Sequence, residues 1–362
     1  MSNYGELSGN KGEWSEVYVL LALLAEGKLH PGDAGMEKLT KFVYPILQII
    51  RKEIAGYTTF NVTTPNIEIL FPSGEQLIIP QDKFKKEAEK LLLGIKMLPL
   101  TTHPDVEPFL RQIGVQHLSS SASQKTDIRI VLHDIYLGID KLFGFSIKSY
   151  LGNTPTLLNA SQSTNFLFRI EGDLPLETAE KINGIGGNDK IKKRIKAIRD
   201  AGCNLCFEKM LSDCYYNNLR MIDSKLPRIL AQLILLYFSG RGKTIAELVQ
   251  IIQKDDPMGY ATSTHDLYGY KIKKFLVEVA LGMTPTAIWD GVYDATGGYI
   301  VVKEDGDIVC YHFYNRNPFE DYLFHNTHLD TPSSSRNKFG VIEDGGIMLN
   351  AQIRFLNPKT RK

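Results

Sequence analysis

Two short segments of the chain carry residue types that can hydrolyse a phosphodiester. They are 125–130 (KTDIRI) and 145–149 (FSIKS). Side chains alternate along a β-strand, so Asp127 and Arg129 are expected to share one face. Ser146 and Lys148 share a face of their own strand for the same reason. If the two strands pair through the intervening segment, Asp127 lies across from Ser146 and Lys148.

An aspartate and a lysine on neighbouring strands can act together on a phosphate. The Asp127 carboxylate could hold Mg²⁺, a hard cation that prefers oxygen ligands. The metal polarises the phosphate and lowers the pKa of a bound water. Lys148 could orient or deprotonate the attacking water and offset charge in the transition state. The alternative is a surface aspartate and a solvated lysine on unrelated strands, because this spacing is common by chance.

Longer blocks of the sequence resemble a known group of enzymes. An aspartate followed by a Glu-X-Lys-type strand is the signature of the PD-(D/E)XK nuclease superfamily. The chain also resembles the HpaII family of type II restriction endonucleases, in blocks that keep the family's order. They are 9–16 (GNKGEWSE), 144–149 (GFSIKS), 156–161 (TLLNAS), 322–324 (YLF), 326–327 (NT), 332–336 (PSSSR) and 339–340 (FG). The resemblance implies a bacterial restriction enzyme that cuts CCGG duplexes with Mg²⁺.

Position 146 departs from the superfamily pattern, which usually has an acid there. Serine is a poor metal ligand, so Ser146 would bind a metal water or simply pack beside it. Glu16 is the first candidate for a second carboxylate, because helices before the core strands of this superfamily often donate a glutamate. Glu13 can face the same side of that helix. Alternatively, Glu13 is a first-turn acid that the helix dipole favours, and Glu16 lies on a solvated face of the helix. Gln162 and Asn165 are weaker substitutes as ligands of the metal or its water.

The polar loop 331–338 (TPSSSRNK) cannot pack a core and is expected to contact DNA. Arg336 or Asn337 would read base edges, since an arginine fork on guanine is the commonest specific contact. Ser334, Ser335 and Lys338 would grip the backbone, because hydroxyls and cations commonly contact phosphates. An ordinary serine-rich turn is the alternative.

Segment 189–199 predicts a basic helix in a chain whose overall charge is nearly balanced. A stripe of isoleucines would turn its cations outward to meet phosphates. Lys192, Lys193 and Arg194 are the expected DNA contacts here, together with Arg129 beside Asp127. A solvated basic face is the alternative reading.

The remaining pattern predicts a mixed α/β (α+β) fold. Three consecutive regions are expected: a nuclease core in 1–175, a helical DNA-contacting region in 176–290, and a β-rich region in 291–362 that contributes to recognition. A hairpin is expected around Glu304-Asp305-Gly306. Helices are expected over 12–26, 35–53, 81–95, 105–113, 190–200, 207–221, 227–238 and 245–253. Strands are expected over 57–79, 126–133, 144–150, 165–170, 299–303 and 307–313.

Composition excludes several classes of protein. Forty-two basic residues face forty-one acidic ones among 362, which argues against indiscriminate nucleic-acid binding. No apolar run approaches the ~20 residues that span a bilayer, and the amino terminus lacks a signal-peptide pattern, so a cytoplasmic location is expected.

Cys203 and Cys206 have metal spacing, with Cys214 on the same expected helix, but packed thiols are favoured over zinc. Segment 240–244 (GRGKT) resembles a phosphate-binding loop, but Tyr237 replaces its first glycine, so a turn between helices is expected.

These observations predict a type II restriction endonuclease that hydrolyses double-stranded DNA at a short palindrome. A palindromic target favours a homodimer, although a monomer could nick the strands in turn. A cognate DNA methyltransferase would be a functional partner without a stable complex. Three alternatives remain: a nuclease of the same fold with another target or a repair role, a non-catalytic DNA-binding module, and a helical interaction protein.

Overall fold

The computed structural model describes residues 6–97, 101–118, 126–134, 138–261, 264–312 and 316–357, so Lys125 lies outside the described residues. Its helices are α1 (Lys11–Glu26), α2 (Gln81–Met97), α3 (Glu107–Gln112), α4 (Leu176–Asn183), α5 (Lys190–Asp200), α6 (Asp213–Ile222), α7 (Leu226–Phe238), α8 (Ile245–Asp255), α9 (Leu267–Leu281), α10 (Arg316–His325) and α11 (Ser334–Asn337). Its strands are β1 (Lys28–Leu29), β2 (Tyr44–Glu53), β3 (Gly56–Thr63), β4 (Asn66–Leu70), β5 (Gln76–Pro80), β6 (Ile128–Asp134), β7 (Ile139–Ser149), β8 (Thr156–Leu158), β9 (Asn165–Glu171), β10 (Asn204–Met210), β11 (Gly298–Val302), β12 (Ile308–His312), β13 (Thr327–Leu329), β14 (Ile342–Glu343), β15 (Gly346–Asn350) and β16 (Ile353–Phe355). The mixed α/β class expected from the sequence is confirmed.

The chain divides into two compact units, each built from two stretches of sequence. The first unit comprises Met1–Pro155 and Tyr293–Phe319, and the second comprises Thr156–Val292 and Glu320–Lys362. These units are not the three consecutive regions expected from the sequence, because the hairpin of β11 and β12 belongs to the first unit. Hydrophobic periodicity reports local structure and carries no information on which distant strands pair.

The first unit is organised around one large sheet. Its strand order is β12-β11-β7-β6-β2-β3-β4-β5, with β1 paired to β2. Strand β11 runs parallel to β7, whereas β6 runs antiparallel to it. Helix α1 contributes Trp14, Val17 and Leu21 to the core, with Ile130 and Phe145 of the sheet. Strand β7 therefore has a hydrogen-bonded partner along each of its two edges.

Helix α1 has strong signals at both ends. The Asn10 side chain accepts hydrogen bonds from the backbone N–H groups of Gly12 and Glu13, and Glu13 closes a capping box by accepting from the Asn10 N–H at 2.7 Å. Gly27 ends the helix with φ 66°, a left-handed conformation that glycine adopts without a Cβ penalty. The prediction of a helix over 12–26 is thus confirmed.

The helix prediction over 35–53 is wrong, and the one over 207–221 is confirmed only from Asp213 onward, where α6 begins. Segment 35–53 was expected to be helical, but 44–53 forms strand β2, which pairs with both β3 and β6. Its isoleucines are β-branched and lose rotamer freedom in a helix, while Ile46 and Ile49 pack well in a sheet that is buried on one face. Residues 204–210 likewise form β10 on the edge of β9. Cys206 therefore lies on a strand and Cys214 on helix α6, so they do not share a helix.

The second unit holds two small sheets and most of the helices in the described part of the chain. The sheets have the orders β10-β9-β15-β14 and β13-β16-β8. Helix α7 is buried along most of its length, including Ile229, Leu233 and Ile234. Within the ranges that the structure describes, no helix is both long and apolar enough to traverse a bilayer.

Candidate active site

Asp127 and Ser146 meet at the start of β6. The register pairs Ile128 with Phe145, and the Asp127 N–H donates to the Phe145 carbonyl at 2.9 Å. One oxygen of the Asp127 carboxylate, Oδ2, accepts from the Ile147 N–H at 2.6 Å and from the Ser146 hydroxyl at 3.1 Å. The expected pairing of the two strands is confirmed, and two donors from β7 hold this carboxylate in place.

Lys148 lies half-buried on the same strand as Ser146. Its Nζ is 5.1 Å from the centre of the Tyr299 ring, and Tyr299 stands beside Ser146 in the parallel pairing of β11 with β7. Burial lowers the pKa of Lys148, and the negative charges of Asp127 and Glu16 offset part of that shift. The amine is therefore easier to deprotonate than an exposed lysine, and it interacts electrostatically with both carboxylates.

Glu16 is brought to this place by the packing of α1 on β7. The Ser149 hydroxyl donates to the Ser15 hydroxyl at 2.8 Å, and Ser15 in turn donates to the Lys11 carbonyl at 2.6 Å. Ser15 is fully buried, so this contact ties the helix directly to the Lys148 strand. Glu13, by contrast, is engaged in the capping box, which accounts for an acid at that position.

A cavity of about 200 Å³ in the first unit is lined by both Glu16 and Asp127. Arg129 lines it too, as its shared face with Asp127 predicted. Among the described residues, no group of three or more histidine, cysteine or acidic side chains is arranged to hold a metal. Two carboxylates suffice for Mg²⁺, which keeps several waters and takes further oxygens from a substrate phosphate. The donor set therefore fits this cation.

One wall of the cavity was not predicted from the sequence; it is formed by Arg51, Lys52, Glu53 and His117. Glu53 is buried and accepts from the Arg51 Nε at 2.6 Å and from the Gln116 N–H at 2.9 Å. These residues were not predicted because segment 35–53 was taken to be a helix, whereas 44–53 forms strand β2. Had the segment been recognised as a strand, the pairing of Ile50 with Arg129 would have placed Lys52 close to Asp127.

The weaker metal-ligand candidates belong to the second unit. Gln162 is exposed on a short 3-10 helix, Gln162–Thr164, and does not line the cavity of Asp127. Asn165 is buried, and its amide donates to the Asn337 carbonyl at 2.8 Å while its oxygen accepts from Asn350 at 2.7 Å. The Asn165 side chain is thus used to hold the loop 331–338 against β15.

The expected DNA contacts of this loop divide into exposed and internal groups. Ser335, Arg336 and Lys338 are exposed and Ser334 is half-buried. Asn337 is buried, and its amide donates to the Ser333 carbonyl at 2.9 Å. The Asn337 side chain therefore stabilises the loop from within, whereas the other four remain accessible to a ligand.

Arg194 does not point outward as expected for helix α5. It is only 7% exposed, and its guanidinium donates to the backbone carbonyls of Asn183, Ile185 and Gly340. A guanidinium has five N–H donors, so Arg194 can be buried while it donates to several carbonyls at once. Lys192 and Lys193 are exposed as expected.

Comparison with known proteins identifies relatives over nearly the full length. A family model described as HpaII restriction endonuclease matches residues 10–355. The chain is 47% identical over 360 residues to the type II restriction enzyme HpaII of Haemophilus parainfluenzae, an alignment that covers 96% of this chain and 99% of that enzyme. No solved structure matches the chain. The matched span includes Glu16, Asp127 and Lys148.

Proposed function

This chain belongs to the HpaII restriction endonuclease family, and from that premise we propose that it cuts duplex DNA at CCGG with Mg²⁺. The observation that carries the proposal is the meeting of Asp127, Lys148 and Glu16 in the first unit. Two carboxylates and an amine of lowered pKa are the groups that phosphodiester hydrolysis requires. We also propose that the sheet of this unit is a PD-(D/E)XK nuclease core.

In the proposed mechanism Asp127 and Glu16 hold the cation. Mg²⁺, when bound, supplies positive charge that polarises the scissile phosphate. Lys148 in its neutral form accepts a proton at Nζ from the attacking water, and the ammonium produced offsets the negative charge that develops on the phosphate. The buried ring of Tyr299 lies beside that ammonium and favours a cation over its face.

Ser146 takes the role of a positioning residue in this proposal. Its hydroxyl donates to Asp127 Oδ2 and leaves the aspartate as the acid of the strand pair. Because Glu16 supplies the second carboxylate in this proposal, no acid is needed at position 146, where the superfamily usually has one.

DNA contacts are proposed for the exposed cations and hydroxyls. Arg336 would read a guanine edge, and Ser334, Ser335 and Lys338 would contact the backbone. Lys192 and Lys193 would meet phosphates, and Arg129 would lie against the strand being cut. A homodimer would match the two-fold symmetry of a palindrome. A cognate methyltransferase would protect host sites in the cytoplasm.

The test is cleavage of two plasmids that differ only by the presence of CCGG. With Mg²⁺, we expect cutting of the first plasmid alone, with ends that map within CCGG, and no cutting in EDTA. Cutting at other sites would remove the CCGG assignment and leave the nuclease. Absence of cutting of any duplex, together with a gel shift, would favour a non-catalytic DNA-binding module, for which serine at position 146 is the specific argument.

A further inference from the structure

A groove of about 880 Å³ lies entirely within the second unit. Its lining comes from residues 187–192, 237–238, 240–243, 331–332 and Ser334, together with Glu247. We call it the basic groove. The segment 240–244 connects α7 to α8, as expected of a turn between helices, and its residues 240–243 line the groove.

The basic groove has an excess of positive charge. Four cations line it, against the carboxylates of Asp189 and Glu247. Glu247 is already engaged, because it accepts from the N–H groups of Lys243 and Thr244 at 3.0 Å each. The cations are Lys190, Lys192, Arg241 and Lys243, of which Arg241 also pairs with Asp255 at 3.3 Å. In a chain with a net charge of +1, this is a local concentration of positive charge.

The walls of the basic groove are held by specific contacts. The Lys192 stem passes over Gly240, where a Cβ would come within 2.3 Å of its Cε and where φ is +72°. The positive φ favours glycine at position 240, and the lysine stem lies across the α7–α8 turn. The hydroxyls of Tyr237 and Thr331 are 2.9 Å apart and join α7 to segment 331–334. Three distant pieces of sequence thereby present one surface.

We propose that the basic groove binds the sugar-phosphate backbone of duplex DNA without reading its bases. The inference rests on the proposed function and extends it to Lys190, Arg241 and Lys243. Its cations are on long stems, and hydroxyls of Thr331 and Ser334 lie at the same surface. Lysine and hydroxyl groups suit phosphate oxygens, which are the same in every sequence.

The experiment compares variants that remove the charge but keep a polar side chain. Lys192→Gln and Lys243→Gln would be made singly and together, with Lys196→Gln as the matched control. Lys196 lies on the same helix as Lys192, but it pairs with Asp200 at 2.6 Å and does not line the basic groove. Binding of fluorescent duplexes with and without CCGG would be measured by anisotropy across a salt series, with Ca²⁺ replacing Mg²⁺ to prevent cutting.

We expect the slope of log affinity against log salt to fall by about 1 for each removed charge, equally for both duplexes. The Lys196→Gln slope should match that of the unmodified protein. Unchanged slopes in the double variant, or a loss confined to the CCGG duplex, would overturn the groove as a backbone site. Plasmid cutting by the unmodified protein is scored separately, so a protein that cuts but keeps its slope refutes this inference alone. A protein that neither cuts nor binds duplex refutes both.

Discussion

The active-site corner and the basic groove hold their charges in opposite ways. Asp127 and Lys148 are half-buried, and backbone and hydroxyl donors fix the carboxylate within 3.1 Å. Lys192, Arg241 and Lys243 are exposed, so solvent and salt screen them. A partly desolvated, fixed charge acts strongly on one reacting group, whereas screened charges act weakly and together. Substitutions in the first region should alter rates greatly, and those in the second should alter affinity slightly.

The largest effect is expected for Lys148→Ala. Loss of the proton acceptor and of the compensating ammonium should slow cleavage by about 10²–10⁴-fold, with duplex affinity retained. Single-turnover cleavage and anisotropy measure the two quantities. Lys148→Arg is the matched variant, because it keeps the charge but cannot take a proton, so it should remain slow. Full activity in the alanine variant would remove Lys148 from the mechanism.

The pH dependence of the rate should report the same amine. Burial lowers the pKa of Lys148, so its neutral form becomes available at a lower pH than for an exposed lysine. Below that pKa the amine is protonated and cannot accept a proton, so the rate should rise with pH and level off above it. A rate–pH profile of the unmodified protein should show this rise, and Lys148→Ala should lose it. An identical rise in both proteins would assign it to another group.

A large effect on stability, without a direct effect on DNA affinity, is expected for Arg194→Gln. The change leaves the carbonyls of Asn183, Ile185 and Gly340 without their donor, which should cost on the order of 2–4 kcal/mol in the free energy of unfolding. Equilibrium unfolding in denaturant measures this free energy for each variant. Lys193→Gln on the same helix should leave stability unchanged. Equal stability of the two variants would indicate that Arg194 is an outward-facing cation, like Lys192 and Lys193.

An intermediate effect is expected for Glu16→Gln. Removing one of two carboxylates should reduce cleavage by at least about tenfold, and more Mg²⁺ should recover part of the loss. Cleavage rates over a Mg²⁺ titration provide the measurement. Glu13→Gln is the matched control on the same helix, because glutamine also supports a capping box. If both variants behave alike, Glu16 belongs to the solvated face and another group completes the site.

The smallest effect is expected for Ser146→Ala. Asp127 Oδ2 keeps its 2.6 Å bond from the Ile147 N–H and loses only the serine hydroxyl. One such bond contributes about 0.5–1.5 kcal/mol, so cleavage should fall by roughly tenfold or less. The rate constant at saturating Mg²⁺ tests this. Complete loss of cleavage would show that the hydroxyl touches the metal or its water.

Much of the active-site corner could be predicted because its logic is local. Strand alternation and one pairing bring Asp127 opposite Ser146. Glu16 was predicted from the superfamily resemblance, and the packing of α1 on β7 brings it to the site. Local patterns failed for Arg194. The isoleucines show which side of the helix is buried, but they do not show that the neighbouring guanidinium is also buried and donates to backbone carbonyls. Local patterns also failed for Lys52, because a run of isoleucines fits a strand and a helix alike until its partners are known.

The sequence by itself determined the residue types, the mixed α/β class and the ends of helices such as α1, since caps and alternation act between neighbouring residues. Only the tertiary structure decided that β11 pairs with β7 beside Lys148, and that 187–192, 240–243 and 331–334 share one groove. Such contacts depend on burial and hydrogen bonding between residues that are far apart in the chain. Local propensity contains no term for them.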